Sequence, residues 1–234
     1  MTRHFLQFGA LAIYAFCFSN ARAENALAYK LAEYTFEVAS SKQKTQVRWS
    51  YPVFLSGIPD GTSALNVWIR DQSLEPLAAC AEIPLSELRK MRDVQVQRAL
   101  GRSKQFADCN IDQSEVQPME AFASFISFQR YIEWAGLSRP QHGITMLTFD
   151  WVRKRKIGVD TLFRPGALDD LNEALAEQIS SDRTDCQRNF DWSQVSLRPP
   201  STLFINFPYN PGEWAVCGDG VEMIEGPLVK AMLI

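Results

Sequence analysis

The sequence predicts an α+β fold of mainly antiparallel sheets with packed helices, arranged as two small lobes and held by two disulfides. Short segments in which apolar and polar residues alternate, as in half-buried strands, lie on both sides of segments with helical spacing. Four cysteines remain after a predicted signal sequence, and an even number is typical of exported proteins with disulfides. The sequence has no repeat and no long linker, which favours compact lobes.

The first 23 residues have the three parts of a secretory signal peptide. Arg3 and His4 form a basic start, and the apolar stretch Phe5–Phe18 follows. Ala21-Arg22-Ala23 is a small-x-small cleavage site. A membrane-spanning helix needs about 20 apolar residues, which is longer than this stretch. A lipoprotein anchor at Cys17 is disfavoured because bulky Phe16 precedes it. We therefore expect cleavage after Ala23 and a protein that is periplasmic or secreted.

The charge of the mature chain limits its partners. Cleavage would remove two arginines and no acid, which changes the net charge from −3 to −5. This balance argues against general binding to nucleic acid or anionic membranes, and it suits a cationic partner. No later segment is long and apolar enough to span a bilayer, so we expect no membrane span in the mature chain. We predict a signal peptide at 1–23, an N-terminal α+β lobe at 24–116 and a C-terminal α+β lobe at 117–234.

The cysteines of the mature chain are Cys80, Cys109, Cys186 and Cys217, which allow three disulfide pairings. We favour Cys80–Cys109 with Cys186–Cys217, because each bond would close a loop within one half of the chain. Each loop of about 30 residues would contribute roughly 3–4 kcal/mol. No CxxC or CxxH spacing is present, so no metal site is predicted.

The first predicted elements are strands at Glu33–Val38 and Gln46–Phe54, followed by a turn at Gly57–Gly61. A helix capped by Thr62 or Ser63 comes next, because its apolar residues have helical spacing.

A second helix is predicted after Pro84, with Ser86 as its cap and a solvated polar continuation over Arg92–Lys104. The aromatic segment Ala121–Trp134 indicates two strands or one long bent strand, and Gly136–Gly143 indicates a loop. The remaining predictions are strands at Ile144–Trp151, 203–207 and Glu213–Cys217, a helix at Ala167–Ser180 and a terminal helical turn at Leu228–Leu233.

Several short motifs, taken in order, resemble the extracytoplasmic RsiV-like family, which includes the lysozyme-sensing domain of an anti-sigma factor and an accessory domain of a peptidoglycan deacetylase. The motifs are Tyr51-Pro52-Val53, Leu65-Asn66 on a helix, Gln141-His142-Gly143, Thr148-Phe149-Asp150, Thr161-Leu162-Phe163, Phe204–Gly212 and Trp214-Ala215-Val216. The chain departs from the family in Leu74–Ser114, which matches poorly, and in Arg153–Lys156, which replaces a turn containing glycine.

The resemblance implies an α+β fold of two lobes, an envelope location and binding to lysozyme or cell-wall fragments. It implies no cofactor, and it transfers no catalysis because the deacetylase chemistry of that family lies in another domain. The sequence has no sigma-binding segment, so we expect the sensing or binding module alone.

Sequence motifs for catalysis are sparse. His142 is the only histidine after the signal peptide, and most histidine metal sites need two or three. No Gly-x-Ser-x-Gly elbow supplies a nucleophile. The acids Asp150, Asp160 and Glu213 are scattered, and adjacent Asp169 and Asp170 are typical of a helix start.

The predicted function is therefore that of an exported, non-catalytic periplasmic binding protein that recognises lysozyme or peptidoglycan-related ligands. The predicted binding residues are His142, Tyr209 and Trp214. One alternative is an envelope hydrolase with its site around His142 or scattered carboxylates, and another is a structural envelope protein. The basic run Arg153–Lys156 is either a solvated hairpin tip or a site for anionic wall polymers or phosphate.

Overall fold

The computed structural model describes residues 13–15, 28–39, 44–56, 61–122, 124–134, 141–158, 161, 163–167, 169–170, 191–198, 202–206 and 221–225. The strands in these residues are β1 (Ile13–Ala15), β2 (Ala28–Ala39), β3 (Lys44–Ser56), β4 (Ile111–Phe122), β5 (Phe125–Trp134), β6 (Gln141–Asp150), β7 (Arg155–Lys156), β8 (Asp191–Arg198), β9 (Thr202–Asn206) and β10 (Val221–Glu225). The helices are α1 (Thr62–Ala81), α2 (Leu85–Leu88), α3 (Asp93–Arg102) and α4 (Lys104–Cys109).

The strands form two sheets, which confirms the predicted α+β class with mainly antiparallel sheets. Strands β1 to β7 lie side by side in sequence order, and β10, β9 and β8 form a second, antiparallel sheet. Strand β8 lies against β6. Strand β1 falls within the predicted signal peptide and pairs with the start of β2. Strand β4 spans residues 116 and 117, so the large sheet contains residues from both predicted lobes.

Strands β3 and β4 are the one parallel pair in the described sheets, with Arg48–Ser50 beside Gln113–Glu115. Parallel neighbours require a crossover connection, and here that connection carries all four described helices. The helices cover one face of the sheet, where alternate strand residues are buried. In β3, Val47 and Trp49 are fully buried, whereas Gln46 and Arg48, which alternate with them along the strand, are exposed.

The core between helices and sheet is aromatic and contains a few hydrogen-bonded polar groups. The indole Nε1 of Trp49 donates to Ser73 Oγ at 2.8 Å, and Ser114 Oγ donates to the Ser73 carbonyl at 3.0 Å. All three side chains are buried. A buried polar group without a hydrogen-bond partner costs free energy, so displacing α1 would leave these three residues with unpaired groups. The bonds therefore fix α1 against the β3–β4 junction.

Helix α1 begins after Gly61, which replaces the predicted caps Thr62 and Ser63. Its Asn66 binds the backbone of Phe54 in β3: Oδ1 accepts from the Phe54 N–H at 2.8 Å, and Nδ2 donates to the Phe54 carbonyl at 2.9 Å. Phe54 lies beyond the stretch of β3 that pairs with β4. The amide therefore replaces a neighbouring strand, and it ties the motif residue Asn66 to the residue that directly follows the motif Tyr51-Pro52-Val53.

The prediction that Arg92–Lys104 is solvated is wrong for one face of α3, which packs against β2. Val96 and Leu100, four residues apart on one helical face, are fully buried. A Cβ at Gly101 would lie 2.8 Å from the Glu37 carbonyl oxygen, so glycine allows this close approach. Helix α2 has Pro84 at its N-cap position, so the cap predicted at Ser86 is also wrong.

The disulfide Cys80–Cys109 is confirmed, with a Cα–Cα distance of 5.6 Å, and it joins the last turn of α1 to the end of α4. Cys186 and Cys217 lie outside the described residues. Most of the helix predicted at Ala167–Ser180 also lies outside them. No helix in the described part of the chain is long and apolar enough to cross a membrane.

Candidate binding face

The sheet face opposite the helices carries a cluster of acids and rings near the start of β6. We call Asp112, Glu115, Tyr131, Glu133 and His142 the acidic face. Each of these side chains is partly exposed. The strand pairing brings them together, because Glu133 lies directly opposite both His142 and Gln113, and Tyr131 lies opposite Glu115. Directly opposed residues in antiparallel strands share a face of the sheet.

His142 lies in strand β6, so the loop predicted for Gly136–Gly143 is wrong at its end. Positions 135–140 lie outside the described residues. The adjacent glycine has a packing role, because a Cβ at Gly143 would lie 3.0 Å from the Trp134 ring. Gly143 therefore makes room for an aromatic side chain within a continuous strand, and the strand fixes His142 on the acidic face.

The His142 ring stacks on Tyr131, with ring centroids 5.7 Å apart and an interplanar angle of 21°. The Tyr131 hydroxyl donates a long hydrogen bond of 3.4 Å to Glu133 Oε2. Burial, followed by the charge of Glu133, raises the pKa of Tyr131. The tyrosine therefore stays neutral and presents an aromatic surface beside a carboxylate.

Asp112 lies in an irregularity where β4 departs from regular pairing with β5, between Ile111 and Gln113. Its Oδ1 atom is buried and has no hydrogen-bond partner among the described residues. Burial, followed by repulsion from Glu133, raises the pKa of the Asp112 carboxyl, and a hydrogen bond from its own backbone N–H and the charge of Arg48 oppose this only in part. The charged form of Asp112 is therefore incompletely stabilised by the protein itself.

This arrangement suits a basic side chain from another molecule. Among the residues that the structure describes, three carboxyl groups lie on the acidic face, and Arg48 is the cation whose charge acts on Asp112 and Tyr131. A guanidinium or ammonium group can bind carboxylates through charge-assisted hydrogen bonds and lie over an aromatic ring. In the residues that the structure describes, no group of three or more His, Cys, Asp and Glu side chains is arranged to hold a metal ion.

The other predicted site residues divide into two groups. Tyr209 and Trp214 lie outside the described residues, as do Asp160 and Glu213. Asp150 is fully buried, and its carboxylate accepts hydrogen bonds from the backbone of the following turn, so it organises structure.

Sequence reasoning missed Tyr131, Glu133, Asp112 and Glu115. Tyr131 and Glu133 flank Ile132, which is buried on the opposite face, so alternation in that strand was an available signal. Whether Tyr131 and Glu133 lie beside His142 depends on the pairing register of β5 and β6. That register depends on the segment that connects the two strands, and the sequence does not specify the conformation of that segment.

A second polar cluster lies on the helix side of the sheet. Asp93, the first residue of α3, accepts hydrogen bonds at Oδ2 from the hydroxyls of Tyr34 and Tyr51, and at Oδ1 from Arg70 Nε at 2.8 Å. Trp49 lies beside both tyrosine rings, with centroid distances of 4.9 and 5.3 Å. This cluster joins α1 and α3 to β2 and β3.

The electrostatics of this cluster indicate a structural role. Burial alone would raise the pKa of Asp93, but the three hydrogen bonds lower it overall. Burial and the bond to Asp93 raise the pKa of Tyr34 to about 12, and they also raise that of Tyr51. The carboxylate and both phenols are therefore held in the protonation states that the bonds require.

Comparison with solved structures identifies proteins of the same fold. No family model matches this chain, and no curated protein has a significant match to it. A member of the DUF3298 family from Bacteroides fragilis NCTC 9343 matches with a TM-score of 0.57 and 13% identity, over 89% of this chain and 94% of the other. A DUF3298 family protein from Pseudomonas aeruginosa PAO1 matches over the same shares, with a TM-score of 0.53 and 13% identity. At this identity the likeness establishes that the chain has the fold of these DUF3298 family proteins.

Proposed function

We propose that this protein is an exported, non-catalytic binding protein that recognises a cationic protein, lysozyme being the leading candidate, through the acidic face. The observation that carries the proposal is the grouping of Asp112, Glu115 and Glu133 beside the stacked rings of Tyr131 and His142. The negative net charge of the chain is consistent with attraction of a basic partner over a longer range.

The electrostatics of Asp112 support recognition of a cation. Its raised pKa means that partial burial and then the charge of neighbouring Glu133 oppose its ionisation in the free protein. A lysine or arginine from the partner would relieve that repulsion and supply the missing partner of Oδ1. Binding energy would then come from charges that the fold alone leaves incompletely compensated.

The family resemblance adds independent support for this choice of partner. The RsiV-like family includes a lysozyme-sensing domain, and the motif Gln141-His142-Gly143 that contributes to the resemblance contains a residue of the acidic face. Cell-wall fragments are the other ligand class that the resemblance implies. They carry fewer cationic groups for three carboxylates to bind, so the acidic face favours the protein partner.

The direct test is calorimetric titration of the oxidised protein with an animal-type lysozyme at low and at physiological salt. We expect saturable binding that persists at physiological salt. The double variant Asp112→Asn/Glu133→Gln should bind roughly tenfold more weakly, because each partly exposed charge pair contributes somewhat less than about 1 kcal/mol.

The matched control is Glu82→Gln/Asp108→Asn, which changes the net charge equally at exposed positions on the helix side. We expect its affinity to stay within about twofold of the unaltered protein. Equal loss in both double variants would attribute binding to net charge and refute a role for the acidic face. Heat that disappears at physiological salt, or no heat, would refute lysozyme recognition.

Two substitutions at His142 separate binding from hydrolysis. His142→Phe preserves an aromatic ring on Tyr131, whereas His142→Ala removes it. If His142 belongs to a binding face, the Phe variant should retain most of the affinity for lysozyme, and the affinity of the Ala variant should fall a few-fold. Hydrolysis of cell-wall material by the unaltered protein, abolished equally by both substitutions, would favour the envelope hydrolase and overturn the proposal.

A further inference from the structure

The β6–β7 hairpin carries five consecutive exposed residues, Val152–Lys156, which lie in its turn and in the short strand β7 and which we call the basic tip. Four of them are cationic, and Val152, which is 68% exposed, begins the segment. Fully buried Asp150 and Ile157 lie on the two sides of the turn. The basic tip is therefore a convex projection from a well-packed hairpin.

The conformation of the basic tip is fixed by the protein. Asp150 Oδ1 accepts from the backbone N–H groups of Val152 and Arg153 at 2.9 and 3.0 Å, and its Oδ2 accepts from Arg153 Nη1 at 2.9 Å. Lys154 has a left-handed backbone conformation, with φ of 54°. A preformed tip loses little conformational freedom when it binds, which favours association.

The tip keeps a net positive charge. Asp150 compensates Arg153, but Lys154 and Arg155 make no ion pair with any residue that the structure describes. The acidic face lies near the other end of β6. His142 and Asp150 are eight residues apart along this strand, which corresponds to about 27 Å. This exceeds the Debye length of about 8 Å at physiological ionic strength, so the two charged regions act separately.

The shape and chemistry of the tip fit a flat anionic surface. Small ligands are usually bound in concave sites, whereas this turn is convex. Apolar side chains beside cations bind at bilayer interfaces, where the apolar group enters the boundary and the cations meet lipid phosphates. In the basic tip, exposed Val152 supplies the apolar group. We propose that the basic tip docks the protein on an anionic phospholipid surface.

This docking does not depend on the proposed lysozyme recognition, because the two sites share no residue. The negative net charge argues against general binding to anionic membranes. The proposal refines that expectation, because an acidic chain would approach an anionic bilayer only through its cationic tip. Docking through the tip would leave the acidic face at the far end of the same strand, available to a second partner.

The test is co-sedimentation of the purified full chain with vesicles of phosphatidylcholine, alone or mixed with phosphatidylglycerol, at low and physiological salt. We expect Lys154→Gln/Arg155→Gln to bind the anionic vesicles about 30-fold more weakly. Val152→Ser should bind about threefold more weakly because it loses apolar burial. Every variant keeps the apolar segment Phe5–Phe18, so the contribution of that segment cancels in these ratios.

The matched control is Lys90→Gln/Arg98→Gln, which removes two exposed cations from the helix side. Its affinity should stay within about threefold of the unaltered protein. Equal weakening in both double variants, or an unchanged affinity in Val152→Ser, would overturn the proposal. Retention on immobilised dextran sulfate without vesicle binding would assign the tip to anionic polymers and would also overturn it.

Discussion

The two faces of the large sheet use polar side chains in opposite ways. On the helix side, Asp93 has three hydrogen-bond donors, and the Trp49 indole has Ser73 as its acceptor. On the acidic face, Asp112 is partly buried beside Glu133, and its Oδ1 has no partner among the described residues. Satisfied polar groups stabilise the fold, whereas incompletely satisfied charges are available to another molecule. Substitutions on the two faces should therefore have opposite effects on stability.

The largest effect is expected for Asp93→Ala on the helix side. The substitution removes the acceptor of Tyr34, Tyr51 and Arg70, and it leaves their donors partly buried. We expect the free energy of unfolding to fall by about 2–3 kcal/mol. Urea unfolding measures this change, with Val94→Ala as the control because the neighbouring Val94 is 53% exposed. A loss no larger than that of the control would contradict a structural role for the cluster.

The same variant should change the dependence of stability on pH. The bonds lower the folded-state pKa of Asp93, so its stabilisation is present above the unfolded pKa of about 3.9 and is lost as the pH falls through the folded value. The stability difference between the unaltered protein and Asp93→Ala should therefore shrink below about pH 4. A constant difference from pH 7 to pH 2 would mean that ionised Asp93 is not the source of the stabilisation.

A smaller loss is expected for Asn66→Ala, which removes both hydrogen bonds to the Phe54 backbone. We expect a loss of about 1–2 kcal/mol, and faster hydrogen exchange at the Phe54 amide than in the unaltered protein. Val67→Ala, at an adjacent position that is 57% exposed, provides the control. Unchanged exchange at Phe54 would show that the amide of Asn66 does not protect this edge of β3.

The smallest effect, and the one of opposite sign, is expected for Asp112→Asn. The raised folded-state pKa means that ionised Asp112 opposes folding above that pKa, and that this opposition disappears as the pH falls. Neutralisation should therefore raise the free energy of unfolding near neutral pH by up to about 0.5 kcal/mol. Thermal unfolding at pH 7 and pH 3 measures the gain, which should be present only at pH 7. Destabilisation at pH 7 would remove the contrast between the two faces.

The fold was predictable from the sequence where the apolar pattern is strong. The alternation through Phe36 and Val38 predicted β2, and the run before Phe54 predicted β3. Strand β4 was not predicted in its first part because Gln113, Glu115 and Gln117 leave few apolar residues to mark it. Helix α3 was interpreted as solvated because only Val96 and Leu100 enter the core.

The candidate site was predictable only in part, for a topological reason. His142 was identified from a local motif, but its partners Tyr131 and Glu133 lie on another strand. The β5–β6 register and the irregularity at Asp112 create the acidic face, and neither follows from local sequence preferences. The Asp93 cluster combines four separate elements, so no spacing in the sequence indicates it.

The parallel junction of β3 and β4 has a consequence for folding kinetics. It joins residues about 65 positions apart through only three pairs, and the two flanking sets of strands form from contacts between near neighbours in the chain. Closing so long a loop costs entropy before any contact offsets it, so high contact order slows this step. We expect the hairpins on either side to form early and the junction to form last. The Cys80–Cys109 bond lies within the crossover, so its oxidation shortens the effective loop and should accelerate completion of the sheet.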